Sequence, residues 1–178
     1  MNPGMKRRAM RHLPTAAATA FLLAAASTAT ATAAPADRPS PSPRSPQAWV
    51  NQNSGKCLEI HGSGTGDGVG AFQWSCDGGA NQRWLNTVGG TPTEMRNLHS
   101  DKCIEVRGGG LGNGVGVAQR TCSGVNWQKW RITPNGDGTW TIVNHNSGKC
   151  LEIYGGGFGD GVGAFQWDCN GKGHQKWR

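Results

Sequence analysis

Beyond residue 34 the sequence lacks any apolar run long enough to cross a lipid bilayer, which requires about 20 residues. It also keeps no helical hydrophobic period over three turns, so long amphipathic helices are not expected. Its cysteines include no Cys-x-x-Cys pair, and this absence argues against a tetrahedral zinc site. Large aliphatic residues are few, so the apolar core is expected to be small and to need covalent support.

The sequence has little excess charge outside its first residues. Lys and Arg number 18 and Asp and Glu number 11, but four of the basic residues lie within the first 11 positions. From Ala34 onward there are 14 basic and 11 acidic residues, an excess of three. A nucleic-acid-binding domain usually has a strongly basic face. We therefore expect no nucleic-acid partner.

The first 33 residues have the three parts of a secretory signal peptide. A basic segment from Lys6 to Arg11 precedes an apolar run of alanines with Phe21, Leu22 and Leu23, and the small residues of "TATATAA" follow. A membrane anchor is the alternative, but the apolar run is short and rich in threonine. We predict a signal peptide over residues 1–33 and a secreted, extracellular protein.

A proline-rich segment, "PADRPSPSPRSPQ", follows at residues 35–47. Proline at this density removes backbone donors and favours an extended, solvated chain. We predict a disordered linker over residues 34–47 and a folded domain over residues 48–178.

The folded part contains one motif three times. The copies are "KCLEIHGSGTGDGVGAFQWSC" from Lys56, "KCIEVRGGGLGNGVGVAQRTC" from Lys102 and "KCLEIYGGGFGDGVGAFQWDC" from Lys149. Each of these copies, together with the segments that flank it, is here named repeat 1, 2 or 3. Each is followed at the same offset by a Gln-x-Trp sequence that ends at Trp84, Trp130 or Trp177. Similarity at such a period indicates stacked or ring-closed units.

Each repeat contains two cysteines with 18 residues between them. An even number of cysteines in an exported domain favours disulfides. Bridges within the repeats are the pairing that respects the threefold symmetry. We therefore predict three disulfides, each closing a loop worth roughly 3 kcal/mol in the chain-entropy description: Cys57–Cys76, Cys103–Cys122 and Cys150–Cys169.

Strand and turn patterns fill each repeat. "CLEI", "CIEV" and "VGAFQW" are short runs with strand-forming residues, and the glycine-rich sequence between them is typical of a hairpin connection. The segments "WVNQN", "TEMRNLHS" and "TWTIVNHN" predict a further strand before each repeat, and the Gln-x-Trp segments predict the fourth. A propeller usually needs at least four blades. Three units of four strands fit a closed pseudo-threefold barrel better.

The three Gln-x-Trp motifs, the cysteine pairs and an acidic residue two positions after each first cysteine resemble the ricin-B-type β-trefoil lectins. The resemblance covers residues 48–178. It implies an all-β β-trefoil of three four-stranded repeats, carbohydrate binding, and up to three sites, one in each repeat.

A sugar site needs a carboxylate, amide groups and an aromatic platform for the C–H face of the ring. The resemblance assigns these roles in repeat 1 to a carboxylate, a platform and an amide pair: Glu59, Trp74, Asn81 and Gln82. In repeat 3 the matching residues are Glu152, Trp167, His174 and Gln175. Repeat 2 keeps Glu105 and Gln128 but has Arg120 for the platform and Trp127 for the Asn, which predicts a weaker site.

Two departures from the family pattern affect these sites. The carboxylate is Glu in all three repeats, where the family most often has Asp. Phe72, Ala118 and Phe165 stand where a polar Gln is common, so the strand face that holds them has either an aromatic wall or a buried surface. Trp84, Trp130 and Trp177 are expected in the core. Asp67 and Asp160 are expected to cap the hairpin turns, and contact with a ligand is the alternative.

These patterns predict a non-catalytic carbohydrate-binding module that is a monomer without cofactor, metal or membrane span. A glycosidase would need two carboxylates about 5–10 Å apart, whereas threefold symmetry holds the acids of the three repeats apart. His61, His99 and His145 also share no pattern with a nucleophile. A protein-binding trefoil, such as a protease inhibitor or a toxin-like partner domain, is the remaining alternative.

Overall fold

The computed structural model describes residues 45–178 of the chain. The predicted signal peptide and nearly all of the predicted linker lie outside these residues. Gln47, the last residue assigned to the linker, belongs to the folded domain: its N–H donates to the carbonyl of Trp84 at 3.0 Å and its carbonyl accepts from the Trp84 N–H at 2.8 Å. Proline spacing does not predict this pairing because the partner lies far along the chain.

The described residues form twelve short strands and six single 3₁₀ turns. The strands are β1 (Cys57–Ile60), β2 (Ala71–Trp74), β3 (Trp84–Leu85), β4 (Thr93–Glu94), β5 (Arg96–Asn97), β6 (Cys103–Val106), β7 (Val115–Arg120), β8 (Lys129–Pro134), β9 (Trp140–Asn144), β10 (Cys150–Ile153), β11 (Ala164–Trp167) and β12 (Lys176–Trp177). The 3₁₀ turns are His61–Ser63, Ala80–Gln82, Arg107–Gly109, Asn126–Gln128, Tyr154–Gly156 and Gly173–Gln175. The all-β prediction is confirmed.

Each repeat is built on one antiparallel hairpin, formed by β1 with β2, β6 with β7, and β10 with β11. The registers are equivalent, so each first cysteine pairs with the last residue of the second strand. The predicted strand "WVNQN" is wrong in detail, since this segment forms only isolated bridges. The Gln of each Gln-x-Trp motif lies in a 3₁₀ turn, and the strand that was predicted there contains the Trp.

The Trp84, Trp130 and Trp177 side chains are completely buried, as predicted. Each indole N–H donates to the carbonyl of a hairpin residue, namely Leu58 at 3.0 Å, Ile104 at 3.1 Å and Leu151 at 3.2 Å. Buried Leu, Ile and Val side chains surround them. The three tryptophans therefore supply much of the volume that the scarce aliphatic residues do not.

The predicted disulfides are all present: Cys57–Cys76, Cys103–Cys122 and Cys150–Cys169. Each bridge joins the first residue of a hairpin to a cysteine two residues beyond its second strand. The covalent link therefore closes the hairpin at its open end, where the backbone pairing stops.

Three completely buried glutamines join the repeats into a ring. The side-chain amide of Gln73 in repeat 1 donates to the carbonyls of Gly157 and Gly159 in repeat 3, both at 2.8 Å. The same bonds run from repeat 3 to repeat 2 and from repeat 2 to repeat 1. Their donors and acceptors are Gln166 with Gly110 and Gly112, and Gln119 with Gly64 and Gly66.

Asp67 and Asp160 bond to the neighbouring repeat, so the interpretation as local turn caps is wrong. The Asp67 carboxylate of repeat 1 accepts from the Thr121 N–H of repeat 2 at 2.9 Å and lies 2.8 Å from the Lys102 ammonium. Asp160 of repeat 3 makes the equivalent contacts with Ser75 and Lys56 of repeat 1. Hydrogen bonding to these ammonium groups lowers the pKa of both carboxyls.

We expect these ionic contacts to make the stability of the domain depend on acid pH. Because the folded-state pKa of Asp67 is lowered, its contribution is complete above the ordinary Asp pKa of about 3.9 and is lost as pH falls below it. Asp67→Asn should lower the melting temperature at neutral pH. The melting temperature of this variant should also fall less on acidification than that of the unchanged protein. Thermal melts across the acid range measure this.

Asp101→Asn is the matched control for Asp67→Asn, because Asp101 pairs with Arg96 of its own repeat. If the Asp67 variant shows the same loss of melting temperature on acidification as the unchanged protein, Asp67 does not couple the repeats in the proposed way.

Candidate functional site

The predicted residues of repeat 1 converge at the outer face of its hairpin. Glu59 lies on β1 directly opposite Phe72 of β2, and Trp74 ends β2. Asn81 and Gln82 approach from the 3₁₀ turn Ala80–Gln82. The alternation of strand residues places the leucine and isoleucine of β1 inside and its glutamate at the site.

The Glu59 carboxylate is fixed through one of its two oxygens. Gln82 donates from its side-chain amide to Glu59 Oε2 at 3.1 Å, and Asn81 donates to the same oxygen at 3.3 Å. Gln82 is itself held by the backbone, since its amide also donates to the Ser75 carbonyl and its oxygen accepts from the Asp77 N–H. The glutamine therefore positions the carboxylate.

The other oxygen of Glu59 is open to solvent. The Glu59 side chain is only 5% exposed, yet its Oε1 has no hydrogen-bond partner among residues 45–178 and is not one of their buried unpartnered atoms. A carboxylate oxygen of this kind is an acceptor in a fixed position. It is available to a hydroxyl group that approaches from outside.

Trp74 forms an exposed wall beside this carboxylate. Its side chain is 38% exposed, and its ring lies over Gly161 of repeat 3, where a Cβ would stand 3.5 Å from the indole. The His61 ring lies 6.1 Å from the Trp74 ring and 5.0 Å from Phe72, between centroids. Trp74 is therefore a surface residue and not part of the core.

Repeat 3 has the same arrangement, with a shorter glutamine contact and a histidine in place of the asparagine. The Gln175 amide donates to Glu152 Oε2 at 2.8 Å, and His174 Nε2 lies 3.5 Å from the same oxygen. The other Glu152 oxygen has no partner within the described residues. The Trp167 ring lies over Gly114 of repeat 2 and is partly exposed.

A cleft of about 320 Å³ opens at the repeat 3 site. Its lining includes three of the four predicted residues, and Gln175 lies behind it. Sequence reasoning missed Tyr154, Asn170 and Lys172, although the Tyr at the position of His61 was a visible signal. The full lining is Glu152, Tyr154, Gly155, Trp167, Asn170, Lys172 and His174.

Repeat 2 has no open carboxylate oxygen. Arg120 Nε donates to Glu105 Oε1 at 3.0 Å, and the Gln128 amide donates to Glu105 Oε2 at 3.2 Å. Trp127 packs on Gly109, where a Cβ would be 2.9 Å from its ring. Arg120 therefore stands where repeats 1 and 3 have an aromatic platform. It also occupies the glutamate oxygen whose counterparts in Glu59 and Glu152 have no protein partner.

The described residues bring together one group with possible metal ligands, formed by Glu94, Cys103 and Cys122. The two cysteines are bonded to each other, so they offer no thiolate to a metal ion. This group does not make a metal centre. Within residues 45–178 no helix is long and apolar enough to cross a membrane.

Comparisons with known proteins agree with the threefold architecture. Residues 45–177 match the family described as the ricin-type beta-trefoil lectin domain. A designed threefold-symmetric protein, ThreeFoil, is 32% identical with a TM-score of 0.72, covering 74% of this chain and 94% of its own. No match was found among curated protein sequences.

Natural proteins with the same fold are also similar. An exo-beta-1,3-galactanase from Clostridium thermocellum is 28% identical with a TM-score of 0.71, over 75% of this chain but only 29% of the enzyme. The C-half of an earthworm R-type lectin, solved in complex with GalNAc, is 19% identical with a TM-score of 0.62, over 76% of this chain and 97% of its own. At that identity the earthworm protein supports the fold alone.

Proposed function

The chain belongs to the family of ricin-type beta-trefoil lectin domains, and on this premise we propose that it is a secreted, non-catalytic carbohydrate-binding protein. Repeats 1 and 3 supply its sites in this proposal, and repeat 2 is structural. The observation that carries the proposal concerns the carboxylates of Glu59 and Glu152. One oxygen of each accepts from a glutamine side-chain amide, and the other has no protein partner and lies beside an exposed or partly exposed indole.

The chemistry of such a site suits a neutral sugar. A hydroxyl of the sugar donates to the free glutamate oxygen, and the apolar C–H face of the ring packs on Trp74 or Trp167. His61 and Tyr154 stand beside these platforms and add a second ring at the edge of each site. Single contacts of this type are weak, so two sites on one chain favour a ligand with repeated sugars.

Secretion and the lack of catalysis are supported by separate observations. Three disulfides suit an oxidising extracellular compartment. The similarity to the galactanase spans 29% of that enzyme, so it leaves most of the enzyme without a counterpart. The candidate carboxylates belong to different repeats, where they serve separate sites as acceptors. Carbohydrate binding therefore needs no second acid at either site.

A glycan and polysaccharide screen with the oxidised full chain tests this function, and Glu59→Gln with Glu152→Gln tests the sites. We expect the double variant to lose glycan binding by about tenfold or more, because hydrogen bonds to a charged acceptor contribute roughly 1.5–3 kcal/mol each. A glutamine that keeps its carbonyl oxygen toward the donating amides also presents an NH₂ donor where the sugar hydroxyl needs an acceptor. Titration calorimetry with a glycan found in the screen measures the loss.

Glu94→Gln is the matched control, because the Glu94 carboxylate accepts from the Gly124 N–H of repeat 2 away from both sites. It should leave the affinity unchanged. A folded protein that binds no glycan in the screen but captures a protein partner would replace this proposal with the protein-binding alternative.

A further inference from the structure

A second kind of cavity, of about 220 Å³, lies where the three repeats meet. The equivalent strands β2, β7 and β11 pair with one another there, at Gly70 with Ala118, Phe72 with Gly163, and Phe165 with Gly116. Because each repeat contributes the same strand, this cavity lies on the pseudo-threefold axis. It shares no lining residue with the repeat 3 cleft.

The side chains around the axial cavity break the threefold symmetry. Repeats 1 and 3 contribute Phe72 and Phe165, which are both partly exposed, whereas repeat 2 has the smaller Ala118 at this position. His61 and Tyr154 pack against these phenylalanines, with ring centroids 5.0 and 5.1 Å apart. Two aromatic walls therefore face a gap on the side of repeat 2.

Arg107 fills this gap. It occupies the position of His61 and Tyr154 in its repeat but has no aromatic ring opposite it, and its guanidinium extends to the axis. Arg107 Nη2 donates to the Gly68 carbonyl at 3.0 Å, and its Nε lies 3.5 Å from the place of a Cβ on Gly116. One cation therefore lines the cavity together with the two phenylalanines.

The glycines of the cavity floor make this arrangement possible. A Cβ on Gly70 would lie 2.6 Å from the Phe72 ring, and a Cβ on Gly163 would lie 2.7 Å from the Phe165 ring. A side chain at either position would force the phenylalanine ring to move. The rings can therefore lie against the backbone and leave the space above the axis open.

The charge of Arg107 is not neutralised inside the domain. No carboxylate of residues 45–178 forms an ion pair with it. Its single hydrogen bond, to Gly68, leaves most of its N–H donors available. A guanidinium with free donors matches the two oxygens of a carboxylate, which it can bind with paired hydrogen bonds.

We propose that the axial cavity binds a carboxylate attached to a six-membered ring. The ring would pack between Phe72 and Phe165 and the carboxylate would accept from Arg107. Two sources carry this chemistry, the hexuronic acid units of an acidic polysaccharide and free aromatic acids. The cavity has its own lining residues and adjoins the neutral-sugar sites through the His61–Phe72 and Tyr154–Phe165 ring contacts. The proposal does not rest on those sites.

Titration of the full chain with sodium glucuronate and sodium benzoate at neutral pH, followed by amide NMR, tests the proposal. We expect saturable shifts of the Gly70, Gly116 and Gly163 amide signals with at least one of the two acids. Glucose and benzamide, the uncharged counterparts, should give no saturable shift there. Saturation by glucuronate alone identifies the polysaccharide source, and saturation by benzoate alone identifies the aromatic source.

Arg107→Gln should weaken binding about tenfold or more, since it removes the charge and the paired donors. Arg131→Gln is the matched control. Arg131 is exposed on β8, so this substitution removes the same charge at a position away from the cavity. Gly116→Ala is a second variant: its methyl group meets Arg107 and Phe165 at ordinary contact distances of 3.5–3.6 Å and fills the floor of the cavity. It should weaken binding while the fold is retained.

The proposal would be overturned by any of the following results. They are no saturable shift with either acid, equal shifts with the uncharged counterparts, and unchanged affinity in both the Arg107 and the Gly116 variants. Shifts confined to the surroundings of Glu59 and Glu152 would assign the acids to the neutral-sugar sites and would also exclude an axial site.

Discussion

Replacing Trp74 and Trp167 together with alanine is expected to lower binding to a multivalent glycan by about 100-fold or more, because two linked sites gain avidity of this order. Each single change should have a much smaller effect, since the remaining repeat still binds. The indoles are the apolar platforms of the two sites in our proposal. Surface binding to an immobilised polysaccharide measures the three variants against the unchanged protein.

The Trp variants should remain folded, since Trp74 is 38% exposed and Trp167 is also partly exposed. Near-ultraviolet circular dichroism checks this. Arg120→Ala is the control in repeat 2, where the side chain neutralises Glu105, and it should leave binding to a neutral glycan unchanged. The site assignment fails if the Arg120 change abolishes binding of a monovalent ligand while both Trp changes leave it intact.

Removing the repeat 1 disulfide with Cys57→Ala and Cys76→Ala is expected to lower the free energy of unfolding by roughly 3 kcal/mol. The bridge closes a hairpin whose own strands contain only four residues each. It also fixes Ser75, whose carbonyl accepts from the Gln82 amide that holds Glu59. The same change should therefore weaken glycan binding at repeat 1.

The repeat 2 pair, Cys103→Ala with Cys122→Ala, is the matched control. It removes an equivalent bridge and should lower stability by a similar amount, but it should leave glycan binding unchanged. Urea unfolding followed by tryptophan fluorescence measures the free energy of unfolding. Glycan titration measures the binding affinity. Equal losses of binding in the two double variants would contradict the different roles of the repeats.

Reduction of all three bridges should unfold the domain at ambient temperature. Their combined contribution, about 9 kcal/mol in the same description, is comparable to the whole stability of a typical domain, about 5–15 kcal/mol. A reduced protein that keeps its near-ultraviolet dichroism would show that the buried tryptophans and the inter-repeat bonds are sufficient for folding.

The repeats made much of the fold predictable. Equal spacing of the cysteines predicts the three bridges. The recurring Gln-x-Trp motif predicts that Trp84, Trp130 and Trp177 lie in the core. The grouping of Glu59 with Asn81 and Gln82, and of Glu152 with His174 and Gln175, follows the same symmetry. These features depend on local spacing and on the comparison of one repeat with another, which a single sequence contains.

Contacts between repeats were not predictable in the same way. The acceptors of Gln73 are glycine carbonyls, which have no side chain to mark them in the sequence. The sequence around Asp67 predicts a local turn cap, whereas its partner Lys102 lies in the next repeat. The pairing of Arg120 with Glu105 depends on the strand register. The Arg107 side chain extends toward the axis where repeat 2 has Ala118 in place of a phenylalanine.

The ring of glutamine–glycine bonds has a direction. Each repeat donates to one neighbour and accepts from the other, so all three interfaces are head-to-tail contacts that close after three steps. Contacts of this type do not require that the units be joined by peptide bonds. Three separate copies of one repeat would satisfy the same donors and acceptors, so the geometry is compatible with an ancestral homotrimer whose gene was later duplicated and fused.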